Sequence, residues 1–206
     1  DFEPPKMDAQ TRLQVLENLR AQDNPALKDI ITAFEAESQA AHLDPNLKTM
    51  LDFLDQIGIG WRFGTVPVGT FLPGLEVVGG TIVMDQTKLK YPGDILHEAG
   101  HIALVPLEKR PSFSGNVAET LPEHSGDEVG VILWTYAACL HLGLPLDYVI
   151  HDEGYHDNAD WLREQFAART FIGLPLLVWM GLCEDPVKAK AEGRQGFPRM
   201  LRWVRN

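Results

Sequence analysis

The sequence predicts an α+β domain, mostly helical with a small and mainly antiparallel sheet. Three observations predict it. The first quarter repeats apolar residues at helical spacing, the period changes after Gly60 into two short β-branched runs around Gly79-Gly80, and helical patterning then returns to the end. At 206 residues and 45% hydrophobic the chain can bury a full core, so one domain over 1–206 is expected. Its parts would be a helical segment 9–58, a core over about 60–145 and a helical segment 146–206.

In chain order, Thr11 to Ala21 carries Leu13, Leu16 and Leu19 between polar residues and reads as an amphipathic helix. Asn24-Pro25 opens a second, with Leu27, Ile30, Ile31 and Phe34 apolar. Asp44-Pro45 opens a third through Leu47, Met50, Leu51, Phe53, Leu54 and Ile57, and Gly58 suits its stop. Leu75 to Val78 and Thr81 to Met84 flank Gly79-Gly80 as a hairpin would. Pro92-Gly93-Asp94 then begins a helix that Pro106 ends. Lys109 to Leu121, rich in turn-forming residues, reads as loop. Val129 to Leu142 is apolar on nearly every side, as a buried central helix is, and Gly143 and Pro145 close it. Beyond lie Leu146 to Ile150, a polar loop, a helix from Ala159 or Asp160 to Phe171, the apolar Leu174 to Leu182, a charged loop Glu184 to Gly196 and a short terminal helix Phe197 to Val204. His42 and His141 have no ligand-spaced partner and read as structural. Trp134, Trp161, Trp179 and Trp203 read as core.

A net charge of −11 disfavours binding to a phosphate backbone, so no nucleic-acid partner is expected. No apolar run is long enough to span a membrane. Cys139 and Cys183 each sit in an apolar stretch and read as buried free thiols. Asp1-Phe2-Glu3-Pro4-Pro5-Lys6 lacks the apolar stretch of a signal peptide. A soluble protein of a reducing cytoplasm is the expectation, with no oligomeric state implied.

The chemistry concentrates in His97-Glu98-Ala99-Gly100-His101. Helical residues four apart share a face, so both imidazoles can reach one metal ion with Glu98 beside it as a base. Catalytic zinc usually takes a third protein ligand. Glu128, 27 residues after His101 at the start of a helix that reads as buried, where an unpaired carboxylate would be costly, is the first candidate; Glu119, Glu123 and His124 follow. Glu128 has a second reading: Ser125-Gly-Asp-Glu128 has capping-box spacing. Asp127 suits the helix dipole or a bond to a histidine. His151, Tyr155 and His156 could donate to an oxyanion. Thr81 to Met84 is the strand expected to receive an extended peptide.

The His97-Glu98-x-x-His101 motif followed by Glu128 in an apolar helix resembles the gluzincin metallopeptidases, and among them the small ImmA/IrrE-type peptidases. The resemblance covers about Leu75 to Leu142, and only the five-residue motif is specific. After Glu128 this chain has Val129-Gly130-Val131 where those peptidases tend to show Ala, then Asp or Asn, then an aromatic-Ala pair. Matched residue by residue, it implies a zincin-like fold, His97, His101 and Glu128 as zinc ligands, Glu98 as general base, and a peptide or protein substrate. Two other readings share these residues: a zinc hydrolase of a non-peptide amide or ester, and a catalytically silent interaction module.

Overall fold

A computed structural model describes residues 9–22, 24–28, 30–31, 43–124, 126–155 and 158–206. The chain divides into two units, Asp1–Lys48 and Thr49–Asn206. The first holds α1 (Ala9–Ala21) and a 3-10 turn at Pro25–Leu27, whose first turn is capped by the Asn24 side chain accepting from Ala26 N. Of the expected helix, the described residues hold this turn and helical Lys28, Ile30 and Ile31, while Phe34 lies outside them. His42 lies outside the described residues.

Helix α2 (Pro45–Ile57) begins where Asp44 Oδ1 accepts from the amides of Asn46 and Leu47, at 2.7 and 3.3 Å, with proline at the first helical position. It stops at Gly58, whose φ of +74° suits a residue without a Cβ. Met50, Leu51, Phe53 and Leu54 belong to the core of the second unit. There Phe53 meets Trp134 and Trp203 at ring-centroid distances of 6.2 and 5.0 Å. Each such buried ring contributes roughly 1.5–3 kcal/mol through the water it excludes.

Three strands follow: β1 (Trp61–Phe63), β2 (Leu75–Val78) and β3 (Thr81–Met84). The β2–β3 hairpin turns on Gly79-Gly80 with φ of +58° and +72°, the handedness that matches strand twist. Its register pairs Glu76 with Val83 and Val78 with Thr81. β1 adds to the other side of β3 in parallel, Arg62 opposite Val83. The sheet is therefore mixed, one parallel and one antiparallel pair, in the order β1-β3-β2. That order corrects the expectation for Thr81 to Met84: β3 is the central strand, its backbone engaged on both sides, and β2 is the edge.

Helix α3 (Asp94–Leu104) packs its apolar side, Ile95, Leu96, Ala99, Ile102 and Ala103, into the core. Its last carbonyls are not left to water. Arg110, in the 3-10 segment Leu107–Ser112, donates through Nε to the carbonyls of Ile102 and Val105. Arg205 N donates to Ala103 O, and Arg110 Nη2 donates to Arg205 O, so the end of α3 is strapped to residues far along the chain. The expected loop after α3 thus holds that 3-10 segment and a short helix, α4 (Val117–Thr120).

Helix α5 (Glu128–Leu142) is mostly buried, as its apolar sequence predicts, and ends at Gly143 with φ of +65°. It crosses α3 at Gly100: a Cβ there would stand 3.0 Å from Val131 Cγ1 and 3.3 Å from Trp134 Cε3, so the bare backbone permits the approach. A short α6 (Leu146–Val149) and α7 (Ala159–Ala167) follow, then α8 (Leu174–Trp179).

The C-terminal part departs from expectation in three ways. The charged segment after Glu184 contains α9 (Pro186–Ala191), capped by Asp185 Oδ1 accepting from Val187 N and Lys188 N. Phe197 to Val204 is not helical, because its backbone is used elsewhere: Met200 bridges to Cys183 and Leu201 N donates to Leu182 O. Trp161 and Trp179 are not core, being 46% and 71% exposed, whereas Trp134 is fully buried. Cys139 and Cys183 are buried free thiols, and burial pushes both upward in pKa, to about 11 and about 12. Among the described residues no helix is long and apolar enough to cross a membrane.

Candidate metal centre

Helical geometry alone sets the first two donors. One turn of α3 brings His97 Nε2 and His101 Nε2 to 3.2 Å from each other, the rings nearly perpendicular at 83°. The crossing with α5 delivers the third. Glu128 is the first residue of that helix, and its two carboxylate oxygens lie 3.6 Å from His97 Nε2 and 3.3 Å from His101 Nε2. Donors about 2.0–2.1 Å from a tetrahedral ion stand about 3.3–3.4 Å apart. The three separations are near that edge length, the two from Glu128 ending on different carboxylate oxygens. His97, His101 and Glu128 form a group that can hold a metal ion.

Glu128 is not driven to a partner by burial, since its side chain is 49% exposed. Its claim rests on position. The capping-box alternative also changes shape, because α5 starts at Glu128 itself with Asp127 as its N-cap residue, and Ser125 lies outside the described residues. The other ligand candidates stand apart from the group. Glu119 lines the adjoining cleft, Glu123 pairs with Lys109 at 2.7 Å, and buried His124 places Nδ1 2.8 Å from Asp127 Oδ2. Asp127 thus holds a histidine, though one outside the motif.

Electrostatics fit the arrangement. Burial, reinforced by the neighbouring His101, pulls His97 down to about 4, so it is a neutral ligand at pH 7. His101 moves the other way: burial opposes its charge, but the carboxylates of Glu128, Glu98 and Asp127 outweigh that and raise it. Glu98 is recessed beside the two histidines. Burial pushes its carboxyl up to about 7, the negative Asp94 and Glu128 add to the rise, and His101 opposes it. A carboxylate poised near neutrality can both accept and return a proton.

Two clefts meet at the triad, and both are lined by His97, Glu128, Phe71 and Leu72. One, of about 650 Å³, runs along β2, with Leu75, Glu76 and Val77 in its wall and Glu98 and Glu119 also facing it. The other, of about 450 Å³, is bounded by Ile132, Tyr155, Trp161 and Leu162. Tyr155 stands edge-on to the His97 ring, centroids 5.9 Å apart, and its hydroxyl is buried with no hydrogen-bond partner among the described residues. Burial raises its pKa, so the O–H stays a donor. His151 is set back, stacked on Tyr91 and bonded through Nε2 to Asp94 Oδ1 at 2.8 Å. His156 lies outside the described residues.

Sequence reasoning did not single out Asp94 for this pairing, nor Phe71. Asp94 is three residues before His97 and so shares its face, a signal that was available. Phe71 sits on an irregular loop that no periodicity describes. Compared with protein-family models, curated proteins and solved structures, the chain matches none.

Proposed function

We propose that the protein is a zinc-dependent metallopeptidase. The observation that carries the reading is the convergence of two imidazole nitrogens and a carboxylate at tetrahedral-edge spacing, with a carboxylate tuned toward neutrality next to the first histidine. Two nitrogens with one carboxylate is a donor set that suits catalytic zinc better than the oxygen-only shells of magnesium or calcium. The resemblance to gluzincins in the 97–101 motif and Glu128 points the same way.

His97, His101 and Glu128 would hold the ion. When bound, zinc supplies Lewis acidity, polarising a substrate carbonyl and making a water acidic enough to lose a proton near pH 7. The protein does the rest. Glu98 accepts the water's proton on its carboxylate and hands it to the departing amine. Tyr155, its hydroxyl buried beside His97 and without a partner among the described residues, donates to the oxygen that gains negative charge. Asp94 and His151 hold each other in the same wall, the His151 ring 6.3 Å from that of Tyr155.

An extended peptide lies along β2, not β3. β2 pairs with one strand only, β3, and Leu75, Glu76 and Val77 line the cleft. Leu75 N already donates to Leu72 O and Gly115 N to Val77 O, and these two bonds bound the run offered to a substrate.

Metal analysis of the purified protein should find about one zinc per chain, and a protein that binds none would end the proposal. Glu98→Gln should keep that zinc while hydrolysis of a quenched peptide library falls by about 10²–10⁴. Full turnover by this variant would remove Glu98 as the base.

A further inference from the structure

The two halves of the cleft differ in kind, and the difference bears on what is bound. The half along β2 presents strand backbone with Glu76, Glu98 and Glu119. The other half, about 450 Å³, is walled by Phe71, Leu72, Ile132, Trp161 and Leu162 and opens directly onto His97 and Glu128. Among the described residues no lysine or arginine lines it. Of its carboxylates, Asp94 is bonded to His151 and Glu128 belongs to the donor group.

Two of its apolar walls are unusually wet. Trp161 is 46% exposed and Phe71 78%, in a chain that buries Trp134 and Phe53 almost completely. Large apolar rings turned into a concave site beside reactive groups mark a binding surface more than a folding core. Among the described residues its remaining polar lining is the Tyr155 hydroxyl and Asn158, both uncharged, so neither offers a counter-charge to a charged substituent.

We infer that this cavity seats the side chain next to the reacting carbonyl and selects one that is bulky, apolar and uncharged, with Trp161 and Ile132 as the specificity-determining walls. A group held against His97 and Glu128 is within one or two bonds of the carbonyl presented to them. Burying a Phe- or Leu-sized side chain there is worth about ten- to a hundredfold in affinity. The inference rests on the metallopeptidase reading, and binding can test the two separately.

The probes are alanine hydroxamate, phenylalanine hydroxamate and lysine hydroxamate, titrated by calorimetry into the zinc-loaded protein. All three share the chelating group and the α-amino group; only the side chain differs. Phenylalanine hydroxamate should bind at least about tenfold more tightly than alanine hydroxamate, and lysine hydroxamate should gain no such advantage. Trp161→Ala, at a half-exposed position that the fold does not need filled, should cut the phenylalanine advantage severalfold at unchanged zinc content. Equal affinities for all three probes, or an advantage untouched in Trp161→Ala, would overturn the pocket while leaving the metal site standing. If none of the three binds although zinc is retained, the site reading fails and the pocket falls with it.

Discussion

Helices α3 and α5 both supply the candidate metal centre, but by different physics. In α3 the two histidines meet because 3.6 residues make a turn; the relation is local and survives wherever the helix forms. In α5 a single carboxylate arrives through docking. Its place depends on Gly100, on the side chains of Val131 and Trp134 that fill the space beside it, and on the crossing those residues permit. One helix carries its chemistry in its spacing, the other in where it is held.

The largest effect expected from breaking this pairing is on α3. His101→Ala removes a donor that sits in the middle of the group, and the purified variant should lose stoichiometric zinc on dialysis, measured by elemental analysis. Glu128→Ala should do less. The paired histidines remain, so zinc affinity by competitive chelator titration should fall about tenfold or more without the ion being lost from a zinc-saturated sample. Wild-type affinity in that variant would make α5 a bystander.

Gly100→Val sharpens the comparison without touching a ligand. The added atoms meet Val131 and Trp134, which are buried and cannot swing away. Stability to urea should drop by about 1–3 kcal/mol. Zinc affinity should weaken as well, because α5 is pushed off and Glu128 with it. If stability falls while zinc affinity holds, the carboxylate is placed by something other than the crossing.

The same contrast explains how much was legible in the sequence. The two hairpin strands, α2, α3 and α5 were readable, since each has a local cause: Asp44 as a cap, Gly79-Gly80 as a turn, the apolar face of α3. The central place of β3 was not, because β1 joins it from 20 residues away and nothing within either strand encodes a parallel partner. Glu128 was reached for a reason that does not hold, burial, while the reason that does, its approach to both histidines, exists only after α3 and α5 pack. Trp161 and Trp179 share helical spacing with Trp134, and periodicity cannot say which of them will be covered. The terminal segment fails for a related cause. Its apolar residues satisfy a helical pattern, yet its backbone serves Leu182 and Ala103.

The strap on α3 also sets a clock. Arg110 and Arg205, which hold one another at the end of that helix, are 95 residues apart. At about 5–20 residues per second, a ribosome needs about 5–20 s to supply the second after the first. Through that interval the nascent chain already contains the histidine pair but lacks the backbone that finishes its helix. An ion reaching the histidine pair during synthesis would therefore meet two successive forms of the same motif, one loosely ended and one closed.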